Sequence, residues 1–430
     1  PRSRGLGDVY KRQAMLRAGR ADHRAVFDLF ARRLPKGRRY GVVGGVGRVV
    51  EAVKNFRFTD EQIAYLEADP IIDEATINYL RNYKFRGIIV GQPEGSLYFP
   101  NTPILTVIGM FADCVLLETL LLSIMNHDSA VMSAASRMVT AAEGMPMIEM
   151  GSRRTSETSA VAAARAAYIA GFNATSNLQA GQLYQIPTTG TSAHAYTLAY
   201  GLDGEEQSFY DQMVALGTDT TILVDTYNIP EGIRRAVHAA NALGVSGPGG
   251  IRIDSGDLHE ETVNARALLD SLGAVDTKIV LSSDIDEYTI SEMKERGTPV
   301  DAVGAGTRVV TGSGSPTAEM VYKLVQINDT PVSKRAEGKV STGGIKVTYR
   351  EFHEDGTMAG EFFKVGATSA PFTSGQHPTQ VLLVDGQSGY FHQEDIEVSR
   401  ARHKEQVAYL PESARLILAG DAAFTAQQAD

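Results

Sequence analysis

The chain has 430 residues, 43% apolar and 21% charged; that is ordinary for a folded protein of about two or three domains and excludes disorder throughout. Lys and Arg number 41 against 51 Asp and Glu, a net charge of −10, so nucleic acid is not expected as a partner, because phosphate backbones select basic surfaces. The single cysteine, Cys114, excludes an internal disulfide and a cysteine-rich metal site and fits a reducing cytoplasm; the longest apolar run, Val115–Leu122, is broken by Glu118 and Thr119, so no membrane span is expected.

The first 20 residues hold six Lys or Arg and one acid, Asp8, without the apolar stretch of a signal peptide. Residues 1–13 are expected to be a non-native remnant, and 14–145 an N-terminal α+β domain. There, AVFDLFARRLP reads as a strand ending at Pro35, and GRVVEAVKNF and DEQIAYLEA have helical spacing, the latter with Asp60 as N-cap. FRGIIVGQPEGSLYFPNTPILTV reads as strands interrupted by Pro and Gly, followed by two helices near 111–126 and 129–143.

From residue 146 the rhythm changes. Short apolar strands alternate with helical stretches: MPMIEM, TTILVDTY, GGIRIDS, TKIVLSS and VDAVGAGT, with helices between. That alternation predicts parallel strands with crossover helices over 146–325, as a barrel or an open sheet. In either architecture ligands bind where the strands end. Residues 321–395 look strand-rich again and 396–416 resembles a closing helix, and 326–430 is expected to be a C-terminal segment packing with the N-terminal domain.

Polar residues cluster at those strand ends. In GGIRIDSGDL, strand alternation aims Arg252 and Asp254 to one face and Ile251 and Ile253 to the other. The pair is either a polar mouth, with an arginine fork suited to a planar carboxylate, or an ion pair that satisfies itself. Asp225 ends the strand in LVDTYNIPEG and is either a site carboxylate or a helix cap. Gly304, Gly306 and Thr307 follow the last strand, where small residues let backbone amides approach an anion, although such clusters also occur in plain turns. His194, in a Gly/Ser/Thr-rich loop, is the most telling of nine histidines; with no metal-ligand spacing around it, a nucleophilic or acid–base role outweighs zinc. Arg153 and Arg154 in MGSRRTSE are anion contacts or surface charge. Together these strand ends suit a phosphorylated sugar.

The segments AVFDLFARRLP, PEGSLYFP, LLETLLLSIMNHD, MGSRRTSE, ATSNLQAGQLYQIPTTGTSAH, LVDTYN, RIDSGDL, SSDIDEY, GAGT and MVYKL resemble, in order, those of the nicotinate phosphoribosyltransferase family, over roughly 14–420. The resemblance implies an α/β fold: an irregular α/β barrel like that of type II phosphoribosyltransferases, with a second α+β domain formed by both chain ends. It further implies a cytoplasmic enzyme of NAD salvage that joins nicotinate to phosphoribosyl pyrophosphate, releasing nicotinate mononucleotide and pyrophosphate, coupled to ATP hydrolysis. Mg2+ held by pyrophosphate is the implied cofactor, ATP the co-substrate, and a homodimer with its site at the interface the implied assembly, without membrane or nucleic acid.

Residue by residue, His194 matches the histidine that ATP phosphorylates. Asp225 and Asp254 match catalytic carboxylates around ribose or pyrophosphate–magnesium. Thr191, Arg252 and Arg153 match nicotinate contacts, and Thr307 with Gly304 and Gly306 matches the 5-phosphate site. Lys334, Arg335 and Lys339 in SKRAEGK resemble a basic loop that reaches phosphates across a dimer interface. There are departures. Tyr10 in GDVYKRQ has neither the neighbours nor the spacing of the family's opening tyrosine, and Asn228 and Ser156 stand where Asp and His are common. Ser176 replaces the aspartate of nicotinamide-using relatives, and a neutral residue there does not repel a carboxylate, which favours nicotinate. A quinolinate or nicotinamide phosphoribosyltransferase, or a nucleotide sensor without turnover, are the competing readings.

Overall fold

The computed structural model describes residues 5–334, 341–366 and 372–429. The chain forms two compact units, 1–133 with 315–430, and 134–314.

In the first unit both chain ends build one antiparallel sheet. Its seven strands run in the order Thr330–Pro331, Met320–Ile327, Arg24–Ala31, Leu105–Met110, Ile88–Gly91, Val381–Asp385 and Tyr390–Phe391. Arg24–Ala31 is buried at all but its first residue, which explains its nearly continuous apolar run. The exception is Asp28, whose carboxylate accepts from Lys346 Nζ (2.7 Å) and Thr106 Oγ1 (2.8 Å). Burial pushes this carboxyl up although Lys346 pulls it down. Phe27 stacks on Tyr322 of the paired strand, with centroids 4.7 Å apart. The unit also holds a four-stranded sheet of His377–Pro378, Lys346–Phe352, Met358–Val365 and Gln427–Gln428, and a two-stranded one of Gly41–Val42 and Leu97–Tyr98.

The second unit holds a six-stranded parallel sheet in the order Ala174–Thr175, Met147–Glu149, Ala302–Ala305, Lys278–Ser283, Gly250–Ile253 and Thr221–Leu223. Helices connect the strands, including Glu157–Ile169, Ile229–Ala242, Leu258–Ser271 and Glu287–Glu295. The expected fold class stands: α/β, with a second unit from both chain ends. The sheet is a half-barrel, its two edge strands unpaired with each other among the described residues.

Four sequence readings change. The unit boundaries lie at 133/134 and 314/315 rather than 145/146 and 325/326, because Met320–Ile327 pairs with Arg24–Ala31 and belongs with it. Residues 6–13, read as part of a remnant, open the helix Leu6–Arg17, with Val9 and Arg12 buried. Thr59, not Asp60, caps its helix, in a reciprocal capping box with Gln62. The two helices expected over 111–143 are a single helix, Glu118–Ala142, after short turns from Phe111. Its polar stretch Asn126-His127-Asp128 does not break it, since Asn126 accepts from the Met320 amide (2.8 Å) and Asp128 binds Arg48 Nη1 (2.6 Å). By length and apolar composition Phe111–Ala142 could cross a membrane, yet 61% of its most apolar window is buried inside the protein, as in a core helix.

Candidate active site

The parallel strands end in polar side chains around a cleft of about 550 Å³, within the usual range for small-molecule sites. Arg153, Thr191, His194, Arg252, Asp254, Gly304, Gly306 and Thr307 all line it. They come from four separate segments, after Met147–Glu149, around His194, at the end of Gly250–Ile253 and at the end of Ala302–Ala305, and the sheet brings those segments together.

Gly250–Ile253 follows the expected alternation. Ile251 and Ile253 are wholly buried, while Arg252 and the following Asp254 reach the cleft. Glycine is required just before it, where a Cβ at Gly249 would stand 2.3 Å from the Asp219 carbonyl oxygen. Arg252 donates from Nε to Ser282 Oγ (2.7 Å), from Nη1 to Thr191 Oγ1 (2.6 Å) and from Nη2 to Asp254 Oδ2 (3.0 Å). Ser282 in turn donates to Asp254 Oδ1 (3.0 Å). Arg252 and Asp254 pair, and the pair faces the cleft. A guanidinium has five N–H groups, so these three bonds leave one on each terminal nitrogen.

Asp225 does not cap the next helix; the Asn228 side chain does, accepting from the Glu231 amide (3.1 Å). Freed from that task, Asp225 Oδ2 accepts from the Asp254 amide (2.9 Å) and Ser255 Oγ (2.8 Å). Its buried Oδ1 has no hydrogen-bond partner and lies 3.9 Å from His194 Nε2. His194 is not in a loop; it is the first residue of the helix His194–Tyr200, with Nδ1 3.1 Å from Thr226 Oγ1.

At the last strand, Ala302–Ala305, the chain turns through Gly306 into the short helix Thr307–Val310. Gly306 lines the cleft, and a Cβ there would make only ordinary contact with the Met150 carbonyl oxygen, at 3.6 Å. Lys334 lies in the other unit, after the strand Thr330–Pro331, with its amide donating to Ser341 Oγ (3.4 Å). Arg335 and Lys339 lie outside the described residues.

Four residues escaped the sequence reading. Ser282, Ser283 and Asp284 line the cleft and carry the signal used elsewhere, polar residues ending an apolar strand. Glu149, the last residue of the strand Met147–Glu149, takes hydrogen bonds from the Gly151 amide and Thr175 Oγ1. Burial pushes its carboxyl up against the pull of those donors. No three His, Cys, Asp or Glu side chains gather to hold a metal among the described residues.

Residues 6–126 match the sequence model of the nicotinate phosphoribosyltransferase (NAPRTase) N-terminal domain. Nicotinate phosphoribosyltransferase pncB1 of Mycobacterium tuberculosis is 53% identical over 354 residues, 81% of this chain and 77% of that one. The chain belongs to the nicotinate phosphoribosyltransferase family. The Bacillus subtilis nicotinate phosphoribosyltransferase is 38% identical over 347 residues, 78% of this chain and 69% of that one. Human nicotinic acid phosphoribosyltransferase, in its crystal structure, shares the fold with a TM-score of 0.86 at 24% identity, over 99% of this chain and 97% of that one.

Proposed function

We propose that this protein is a nicotinate phosphoribosyltransferase that joins nicotinate to phosphoribosyl pyrophosphate, releasing nicotinate mononucleotide and pyrophosphate, and that ATP drives the reaction through a phosphohistidine at His194. The observation that carries this reading is the site pair: a multiply anchored arginine, Arg252, and a histidine facing a buried, partner-free carboxylate oxygen, in one cleft.

Arg252 would take the nicotinate carboxylate on its two remaining N–H groups, in the planar two-bond geometry that guanidinium favours. Thr191, Ser282 and Asp254 fix the guanidinium plane beforehand, so little freedom is lost on binding. The neutral Ser176 lines the same cleft and adds no negative charge against the substrate's carboxylate. With the pyridine nitrogen attacking the ribose C1, the new C–N bond forms as the C–O bond to pyrophosphate breaks. The amides of Gly306 and Thr307 would hold the 5-phosphate.

His194 would accept the terminal phosphoryl group of ATP on Nδ1, a P–N bond replacing a P–O bond with ADP leaving, and lose it to water. Nδ1 would release the Thr226 hydroxyl in that step, while Asp225 Oδ1, on the Nε2 side, would orient the ring and hold its proton. Mg2+ bound with pyrophosphate would neutralise the leaving group's charge, with Asp225 and Asp254 the proposed carboxylates around it. Residues 334–339 of a second copy, in a homodimer, are proposed to add phosphate contacts.

The test is product analysis with nicotinate, nicotinamide and quinolinate, each with phosphoribosyl pyrophosphate and with and without ATP. Nicotinate mononucleotide formed from nicotinate alone, and faster with ATP, is the expected result. Mononucleotide from another pyridine, or none from any, overturns the reading.

A further inference from the structure

The cleft's phosphate turn depends on residues outside it. Thr307–Val310 is a helix of four residues, too short to persist without tertiary anchors. Its exit runs through Ser313, held at a left-handed φ of 45°, with the Ser313 amide donating to the Arg308 carbonyl (2.6 Å). The Ser313 hydroxyl donates to Oε2 of Glu287 (2.7 Å), and Oε1 of the same carboxylate accepts from Arg137 Nε (3.0 Å). Glu287 and Arg137 are almost wholly buried, at 1% and 3% side-chain exposure. Next to Glu287, Asp286 caps the helix Glu287–Glu295 and places Oδ2 4.0 Å from Arg308 Nε. One corner of that helix thus grips the turn at both ends.

A buried ion pair is weak as a source of stability, because desolvating two charges offsets most of their attraction. What this pair supplies is a fixed, oriented acceptor for Ser313. We infer that Glu287, backed by Arg137 and acting through Ser313, is a positioning residue that sets Gly306 and Thr307 for the sugar phosphate. The inference rests on the proposed phosphate role of that turn. None of the three side chains touches the substrate in this assignment, so their loss acts through the turn.

The experiment measures KM for phosphoribosyl pyrophosphate and for nicotinate separately, in the full chain, for Ser313→Ala, Glu287→Gln and Thr307→Val. Ser313→Ala removes one hydroxyl and is the gentler change. It is expected to raise KM for phosphoribosyl pyrophosphate roughly 2- to 12-fold, the worth of one hydrogen bond, while KM for nicotinate holds. Glu287→Gln is expected to move the same constant further in the same direction. If Thr307→Val raises KM for phosphoribosyl pyrophosphate but Ser313→Ala and Glu287→Gln change neither KM, or both equally, the positioning role is wrong. If Thr307→Val leaves that KM unchanged, the phosphate reading of the turn falls, and the positioning role with it.

Discussion

Asp225 Oδ1 is buried, lacks a hydrogen-bond partner and lies 3.9 Å from His194 Nε2, while Oδ2 of the same carboxylate is bound by the Asp254 amide and Ser255. One oxygen is thus structural and the other is left to the histidine. A small rotation of the His194 ring would bring Nε2 within bonding reach, and an imidazole bearing a phosphoryl group would need that acceptor most.

Replacing Asp225 by Asn keeps the shape but removes the negative charge facing the ring. With radiolabelled ATP, Asp225→Asn is expected to lower acid-labile phosphate on the enzyme at least tenfold, and His194→Asn to abolish it. His194→Asn should keep some ATP-independent transfer, since the arginine and the phosphate turn are untouched. Label on another residue with His194 unmodified contradicts the assignment.

Arg252 should set the preference for the acid over the amide. Nicotinamide offers one acceptor and one donor group, so it loses a charge-assisted bond worth about 1.5–3 kcal/mol, or roughly 10- to 150-fold. Arg252→Gln is expected to lower kcat/KM for nicotinate by at least that factor and for nicotinamide much less. Arg252→Lys keeps the charge but cannot hold Thr191, Ser282 and Asp254 together, so it should recover only part. Equal losses with both substrates would place Arg252 on phosphate or in the fold instead.

Arg12 in the first helix is fully buried with no hydrogen-bond partner for any guanidinium nitrogen; it stacks over Tyr79, 3.2 Å from the ring centre. Burial pushes Arg12 down to about 10 and pushes the Asp113 carboxyl up to about 6 against the pull of Arg12. Arg12→Met fills similar volume without the charge. Urea unfolding should show a protein equally stable or more stable, by up to about 4 kcal/mol. A loss above about 1 kcal/mol would mean that stacking on Tyr79 outweighs desolvation.

His403 is buried against the Gly95 carbonyl (3.3 Å), and desolvation pushes it down to about 4. Its unfolded value is about 6.5. A depressed value means the unfolded chain binds the proton first, so stability is full above pH 6.5 and is lost as pH falls toward 4, by about 3 kcal/mol. His403→Gln can still donate to Gly95 and cannot titrate. The difference in unfolding free energy between pH 7 and pH 4.5 should shrink in this variant; an unchanged difference would assign the acid sensitivity to other groups.

Much of this protein was written locally. Alternating apolar strands and helices specified a parallel α/β unit, because the period of side-chain direction differs between the two elements. The face of Arg252 and Asp254 followed from that period alone. Motifs in order carried the family, and with it His194 and Thr307. What sequence could not supply was partnership across long separations. Whether Asn126-His127-Asp128 ends a helix depends on Met320 and Arg48, and whether Asp225 caps a helix depends on Asn228 and Asp254. The unit boundary at 314 follows from a strand pairing nearly 300 residues away. Glu149 and Glu287 read as unremarkable acids until the fold buries them and hands each two donors. A polar side chain has the same local propensity whether solvated or buried; only the tertiary structure, by removing water, decides which must find a partner.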